Sequence, residues 1–448
     1  MAGGSWTAQN KIRPGVYINF KSGAARTVTQ GERGTVAIPK ALSWGPVGKV
    51  VAVNAGEDTT PSIGYAITDA GAMFLREMFK GTNVTGGPNT VLLYRLPAEG
   101  AAPATATVEG AGLTVTALYP GVRGNDIAVT IAADVDEPDS FTVSTLVSGQ
   151  VVDVQKVTAA ADLKPNGWVT FSGAGPLAAS AGVSLSGGVD GTALPSAYAA
   201  ALEALEPYSF DVLAYDGTDS TVQAAMIAFV KRLAEQEGKH TQLVTSGAQN
   251  VDSRYVININ SGVVLDDGTR LAANQVVWWL AGAEAGAQYY QSLTYAAYPN
   301  AADVAVRQTN SQIEAAIQAG DIVLTQEFGQ VRVETDINTL TTYTQDIGEV
   351  YHKNTTMRVC SSLANDLYRE FSLNYLGKVK NDEAGRGLFQ AAVLGYLKTM
   401  YERGALSERP VSDDVTVERG DSADSIVITV ALRVADAVEK IYLTITVT

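Results

Sequence analysis

Two hydrophobic periods alternate along this chain. Between 34 and 96, apolar runs at 35–39, 50–53 and 90–96 read as strands. Residues 69–79 repeat apolar positions every three or four residues, which predicts an amphipathic helix capped by Thr68 or Asp69. From 97 to 190 the helical period disappears. Short Val/Thr-rich runs at 113–118, 127–131, 141–146, 151–154 and 168–171 are punctuated by Gly, the spacing of a small antiparallel β domain. Residues 196 to 350 return to alternation, with strands at 210–215, 241–245 and 255–259 and helices at 220–236 and 272–287. Short apolar strands separated by helices predict a largely parallel sheet covered on both faces.

The two ends of the chain differ from its middle. Residues 356–376 carry Met357, Cys360, Leu363, Leu367, Phe371 and Tyr375 at helical spacing, and 387–403 carry Leu388, Val393, Leu394, Leu397 and Tyr401. Two strict alternations, 426–434 and 441–448, then close the sequence. Near the start, within about 25 residues rich in Gly, Ser and Ala, Val16, Tyr17, Ile18 and Phe20 form a lone strand-like run after Pro14-Gly15. A lone strand cannot satisfy its own ladder groups, so its partner must lie far along the chain or in another chain. The expected class is α/β (α+β) and multidomain. It comprises an N-terminal arm (1–25), a mixed α/β core body in two parts (26–96 and 191–350), an all-β surface insertion (97–190), and a helical C-terminal region (351–448) ending in a β-strand arm.

Composition narrows the function mainly by exclusion. Lys and Arg number 32 against 47 Asp and Glu, so the 448-residue chain carries 32 − 47 = −15. A nucleic-acid binder needs a basic face to displace counterions, and this balance argues against one. One cysteine and two histidines leave no internal disulfide and little material for zinc sites or His-based relays. The start lacks a basic region followed by an apolar run, and the most apolar stretch, 276–283, stops at Glu284. Both point to a soluble protein made in a cytoplasm, with no membrane insertion. Charge is unevenly placed. The 97–190 segment carries 3 − 10 = −7, whereas 349–409 carries 9 − 7 = +2 and the remainder −15 − 2 = −17. The helical region is either a face for an acidic partner or a solvated surface of mixed charge.

Candidate chemistry is sparse. Asp216-Gly217-Thr218-Asp219-Ser220 follows a strand and offers oxygen ligands suited to Mg²⁺ through Asp216, Thr218 and Ser220, but it also reads as a strand-to-helix turn with an N-cap. Gly173–Ala178 imitates a dinucleotide fingerprint without a βαβ context, and Pro176 favours a loop. Asp266-Asp267-Gly268 is a hairpin turn before it is an acid/base pair. His352 reads as a surface or packing histidine, and Cys360, Trp278 and Trp279 as core. No active site assembles, and no metal or cofactor is implied.

Several segments in order are more specific. Arg13, Pro14, Gly15, Val16, Tyr17 and Ile18 come first, followed by Gly34, Thr35, Val36, Ala37, Ile38 and Pro39, then Trp44, Gly45 and Pro46. Later come the run from Trp279 to Ala287, Asp336 to Thr341, and Val434 to Leu443. Together they resemble the contractile tail sheath proteins of myophages and phage-tail-like bacteriocins, over nearly the whole chain except 97–190. The resemblance looks closest to Gram-positive phages and defective phage-like particles. It implies a virion or tail-like particle component, assembled in a bacterial cytoplasm and released by lysis. Its subunits would polymerise helically around an inner tail tube and contract on a baseplate signal, with terminator or collar proteins at the far end. By the same resemblance, the arms link neighbours as added strands, through Val16, Tyr17, Ile18 and Phe20 at one end and Ile441, Leu443, Ile445 and Val447 at the other. Arg386, Lys398 and Arg403 are the tube-facing candidates. The competing classes are a Mg-dependent α/β enzyme with a β accessory domain, built on Asp216, and an adhesin-like β protein, which the missing secretion signal weakens.

Overall fold

The computed structural model describes residues 2–4, 15–17, 33–137 and 139–447. The chain forms two compact units. One comprises Glu32–Asn365 with Asp436–Thr448, the other Met1–Gly31 with Asp366–Ala435.

The larger unit is built on a seven-stranded sheet. Its order is Asp321–Ile322, Val256–Ile259, Gln242–Ser246, Val212–Ala214, Thr35–Lys40, Thr90–Arg95, Val50–Asn54. All pairings are parallel except the last, where Val50–Asn54 runs against Thr90–Arg95. Successive residues of a strand point to opposite faces, which explains why its strands are mostly apolar on both. Val36, Ile38, Leu93, Ala214, Val244 and Ile257 face one core, with helix Ala273–Gly286. Ala37, Leu92, Leu213, Leu243 and Val256 face the other, where Leu202, Leu205, Met226, Phe229 and Val230 come from helices Pro195–Leu205 and Ser220–Gln236.

Helix Ala273–Gly286 is buried from Val276 through Ala285, so it has no solvent face. Trp279 stacks on Tyr298 with ring centroids 4.0 Å apart and donates its indole N–H to the Gly81 carbonyl at 2.7 Å. Gly282 admits the backbone of Met78, whose carbonyl oxygen lies 1.8 Å from where a Cβ would stand. The neighbouring helix differs from expectation. Instead of one run over 69–79, a 3₁₀ turn, Ala70–Ala72, leads into a short helix, Met73–Met78. The Tyr65 ring lies against Gly71 where a side chain would stand, and the Asp69 carboxylate accepts from the Ala66 N–H instead of capping the helix.

The insertion is a β sandwich. Strands Gln150–Val157, Phe141–Val147, Ile127–Ala133 and Ser180–Ser184 form one sheet, and Val169–Gly173, Leu113–Ala117 and Thr105–Val108 the other. Leu113, Val115, Ile127, Val129, Val143 and Val169 fill the space between. The strands at Thr105–Val108 and Ser180–Ser184 escape sequence pattern because they are short or rich in Ser, Ala and Gly. The chain enters and leaves the sandwich at one place, where Glu99 bridges to Thr192 and Ala102 to Val189. That junction is braced. The Arg95 guanidinium donates to the Gly45 and Pro120 carbonyls, and Arg123 donates to the Gly64 carbonyl while lying 4.3 Å from the Tyr65 ring centre. Trp44 packs against Trp168 and Tyr119.

In the smaller unit, helix Glu383–Glu402 is capped by Asp382, whose carboxylate accepts from the Gly385 N–H. Phe371, Tyr375 and Phe389 cluster with centroids 4.8–5.3 Å apart. A hairpin of Val415–Arg419 and Ile426–Val430 makes a two-stranded sheet. The 426–434 run therefore stops being a strand at Val430. Beyond it, Ala431 donates to the Asp414 carbonyl, Arg433 accepts from Ser407, and Ala435 donates to Ala405. Gly15–Tyr17 pairs in parallel with Ala2–Gly4.

Candidate assembly surface

The strand-grade alternation at 441–447 forms no strand. Ile441, Tyr442, Leu443, Ile445 and Val447 are instead 77–92% exposed. A strand needs a second strand to satisfy its N–H and C=O groups, and among the described residues none pairs with this one. Five large apolar side chains thus stand in water on an open backbone, the arrangement that folded proteins avoid unless a partner covers it. The hairpin Val415–Arg419 and Ile426–Val430 leaves its two outer edges open among the described residues.

The segment follows a point fixed within the larger unit. Glu439 accepts from the Thr294 hydroxyl at 2.9 Å through one carboxylate oxygen and pairs with the Lys353 ammonium through the other. Thr294 also accepts from the Asp336 N–H at 3.0 Å. Asp336 leads inward to an ionic node. The Arg358 guanidinium donates to Asp336 and to Glu284, and all three side chains are about 1% exposed. Asn354 donates to Asp336 at 2.9 Å and to the Ile337 carbonyl at 2.8 Å, and Leu293 donates its N–H to Asp336 at 2.9 Å. Burial, reinforced by the nearby Asp336 charge, pushes the Glu284 carboxyl up to about 8. Arg358 and the hydrogen bonds from Leu293 and Asn354 outweigh burial at Asp336 and hold that carboxyl below its usual range. The node joins helix Ala273–Gly286, the 336–338 loop and the start of helix Asn354–Asn374. Sequence reasoning missed it as a site. Its signal was a glutamate, Glu284, ending an otherwise apolar run.

The remaining candidates resolve singly. Val16 and Tyr17 lie in Gly15–Tyr17, and their partner strand is close by at Ala2–Gly4, not distant as expected. Ile18 and Phe20 lie outside the described residues. Arg386 and Lys398 sit on helix Glu383–Glu402 with Arg403 at its C-cap. Twelve residues separate the first two, which turns them about 120° apart around the helix, so they do not share a face. Asp216 pairs with Lys40 and accepts from the Trp278 indole at 2.6 Å, and Asp219 caps helix Ser220–Gln236 through the N–H groups of Thr221 and Val222. That segment is a strand-to-helix turn. Asp267 likewise closes a hairpin by accepting from the Thr269 N–H. His352 bonds the Leu340 carbonyl through Nδ1, and burial pushes the Cys360 thiol up. Among the described residues no cluster of three or more His, Cys, Asp or Glu is arranged to hold a metal, and no helix is long and apolar enough to cross a membrane.

The chain thus combines an α/β body carrying a β sandwich, a helical unit with an open-edged hairpin, and an exposed strand-grade segment at 441–447, and this combination is that of the structural proteins of phage-like tails whose family descriptions it matches. Four family descriptions tile the chain. They are the Gp18 tail sheath domain III N-terminal region at 33–96, the phage tail sheath β-sandwich domain at 99–190, the central domain at 191–339, and the C-terminal domain at 346–448. The phage-like element PBSX protein XkdK of Bacillus subtilis is 34% identical, covering 99% of each chain. The sheath tail protein of Desulfitobacterium hafniense is 42% identical, with a TM-score of 0.86 over 96% of this chain and 99% of that one. The helical sheath of the anti-feeding prophage in its contracted state shares the fold at 15% identity, with a TM-score of 0.57 over 97% and 98% of the two chains. The chain belongs to the phage tail sheath protein family.

Proposed function

We propose that this protein polymerises helically around an inner tail tube through exchanged N- and C-terminal strands, and that the polymer contracts to drive the tube through a target cell envelope. The observation that carries this reading is the exposed alternation at 441–447, together with a hairpin whose outer edges are open among the described residues. Strand addition joins such surfaces through main-chain hydrogen bonds, and alternate side chains set the register. Donor and acceptor surfaces differ, so the contact propagates as an open helix. In this reading the N-terminal strand with Val16 and Tyr17 adds to the same mesh, and Arg386, Lys398 and Arg403 face the tube. The energy of contraction is the difference between two packings of the same subunits, with no nucleotide consumed. A baseplate triggers it, and terminator or collar proteins close the far end. The sheath is built in the host cytoplasm and released by lysis. That a neighbour in the same fold is a contracted helical sheath supports the mechanical part.

The test is removal of residues after Lys440. Electron microscopy should show folded, soluble subunits and no striated cylinders. Cylinders of normal length and yield would overturn the strand-exchange reading.

A further inference from the structure

From Asp436 to Val447, Glu439 is the one residue that is not exposed. Its neighbour Val438 is 83% exposed and Ile441 84%. An isolated carboxylate that turns inward from a solvated segment must be held there, and both of its oxygens are engaged. Thr294 has a single hydroxyl proton. Because its oxygen already accepts from the Asp336 N–H, that proton is directed to Glu439. Lys353 supplies the countercharge, with the two side chains 22% and 16% exposed. The socket is stiff because each wall adjoins the buried node. Leu293, next to Thr294, donates to Asp336, and so does Asn354, next to Lys353.

We infer that Glu439, Thr294 and Lys353 form an anchor that clamps the C-terminal arm to the body, so that the arm's free length counts from Lys440. The inference rests on the strand-exchange reading for its purpose, but the clamp itself is a property of the single subunit. Residues 440–447, fully extended at about 3.3 Å per residue, reach about 26 Å from the anchor. Glu439 and Lys353 are positioning residues. They fix where the strand starts and carry its load into the node through short polar links.

Trypsin reads the clamp directly. The bond after Lys440 is exposed, but a protease must seat residues on both sides of the cut, and Glu439 is held in its socket. Lys353→Met leaves the 438–448 sequence unchanged. Release of the octapeptide 441–448 from dilute, unassembled subunits, followed by mass spectrometry, should rise about fivefold in Lys353→Met, the factor matching a partly buried pair worth about 1 kcal/mol. Lys353→Arg should restore the wild-type rate, which a merely structural effect of the substitution would not predict. Circular dichroism confirms that each variant is folded. Equal release from wild type and Lys353→Met overturns the anchor, as does failure of Lys353→Arg to restore protection. Neither result touches the strand-exchange reading, whose own failure would be normal polymerisation without residues 441–448.

Discussion

At the scale of single residues, the buried ionic node is the most sensitive point. Arg358 neutralises the Asp336 carboxylate and donates to Glu284, and removing it leaves the Asp336 charge unpaired in a site closed to water. Arg358→Met should therefore destabilise the larger unit by about 3–5 kcal/mol in urea unfolding. The node also titrates. Glu284 in the fold takes its proton up to about 8, above its usual value of 4.5, so the folded chain holds a proton that the unfolded chain has lost in between. Unfolding then releases that proton, and stability falls as pH rises from about 4.5 towards 8, by up to about 1.4 kcal/mol per pH unit. Glu284→Gln mimics the protonated acid. Its unfolding free energy, measured at pH 5.5, 7 and 8.5, should vary less with pH than that of the wild type. Gly282 is sensitive for a steric reason. A methyl group there meets the Met78 carbonyl, and Gly282→Ala should cost about 1–3 kcal/mol in the same measurement.

At the scale of elements, strands and helices followed hydrophobic period wherever packing agreed with it. The run expected at 220–236 is the helix Ser220–Gln236, because one stripe faces a core and Asp219 caps the start. The parallel sheet was legible because strands buried on both faces are mostly apolar, with only isolated polar positions such as Thr245 and Asn258. Legibility failed where a contact, or the lack of one, overrode the local pattern. The 69–79 helix breaks where Tyr65 covers Gly71, and 441–447 has every feature of a strand except a partner. The candidate site was half legible for the same reason. Alternation marked the arm, but no spacing rule joins Thr294, Lys353 and Glu439, which meet only once the chain is folded. The arm's apolar positions should matter to assembly and hardly at all to folding. Leu443→Lys with Ile445→Lys should abolish pelleting of polymer in sedimentation, while the unfolding midpoint shifts by less than about 0.5 kcal/mol equivalent.

At the scale of the whole molecule, labour is divided among parts that meet at few covalent crossings. The sandwich is attached where Glu99 bridges to Thr192 and Ala102 to Val189, and Trp44 is sealed beneath it. Replacing residues 100–190 with a short Gly linker should leave the seven-stranded sheet folded and polymerisation intact. The Trp44 fluorescence should shift red as its ring meets water, and loss of the body's circular dichroism would contradict the prediction. Because entry and exit stand side by side, the segment behaves as a cassette in a single doorway. Foreign sequence fitted there should leave the register of the seven-stranded sheet unchanged, so this part of the chain can be rewritten while the body that carries it stays the same.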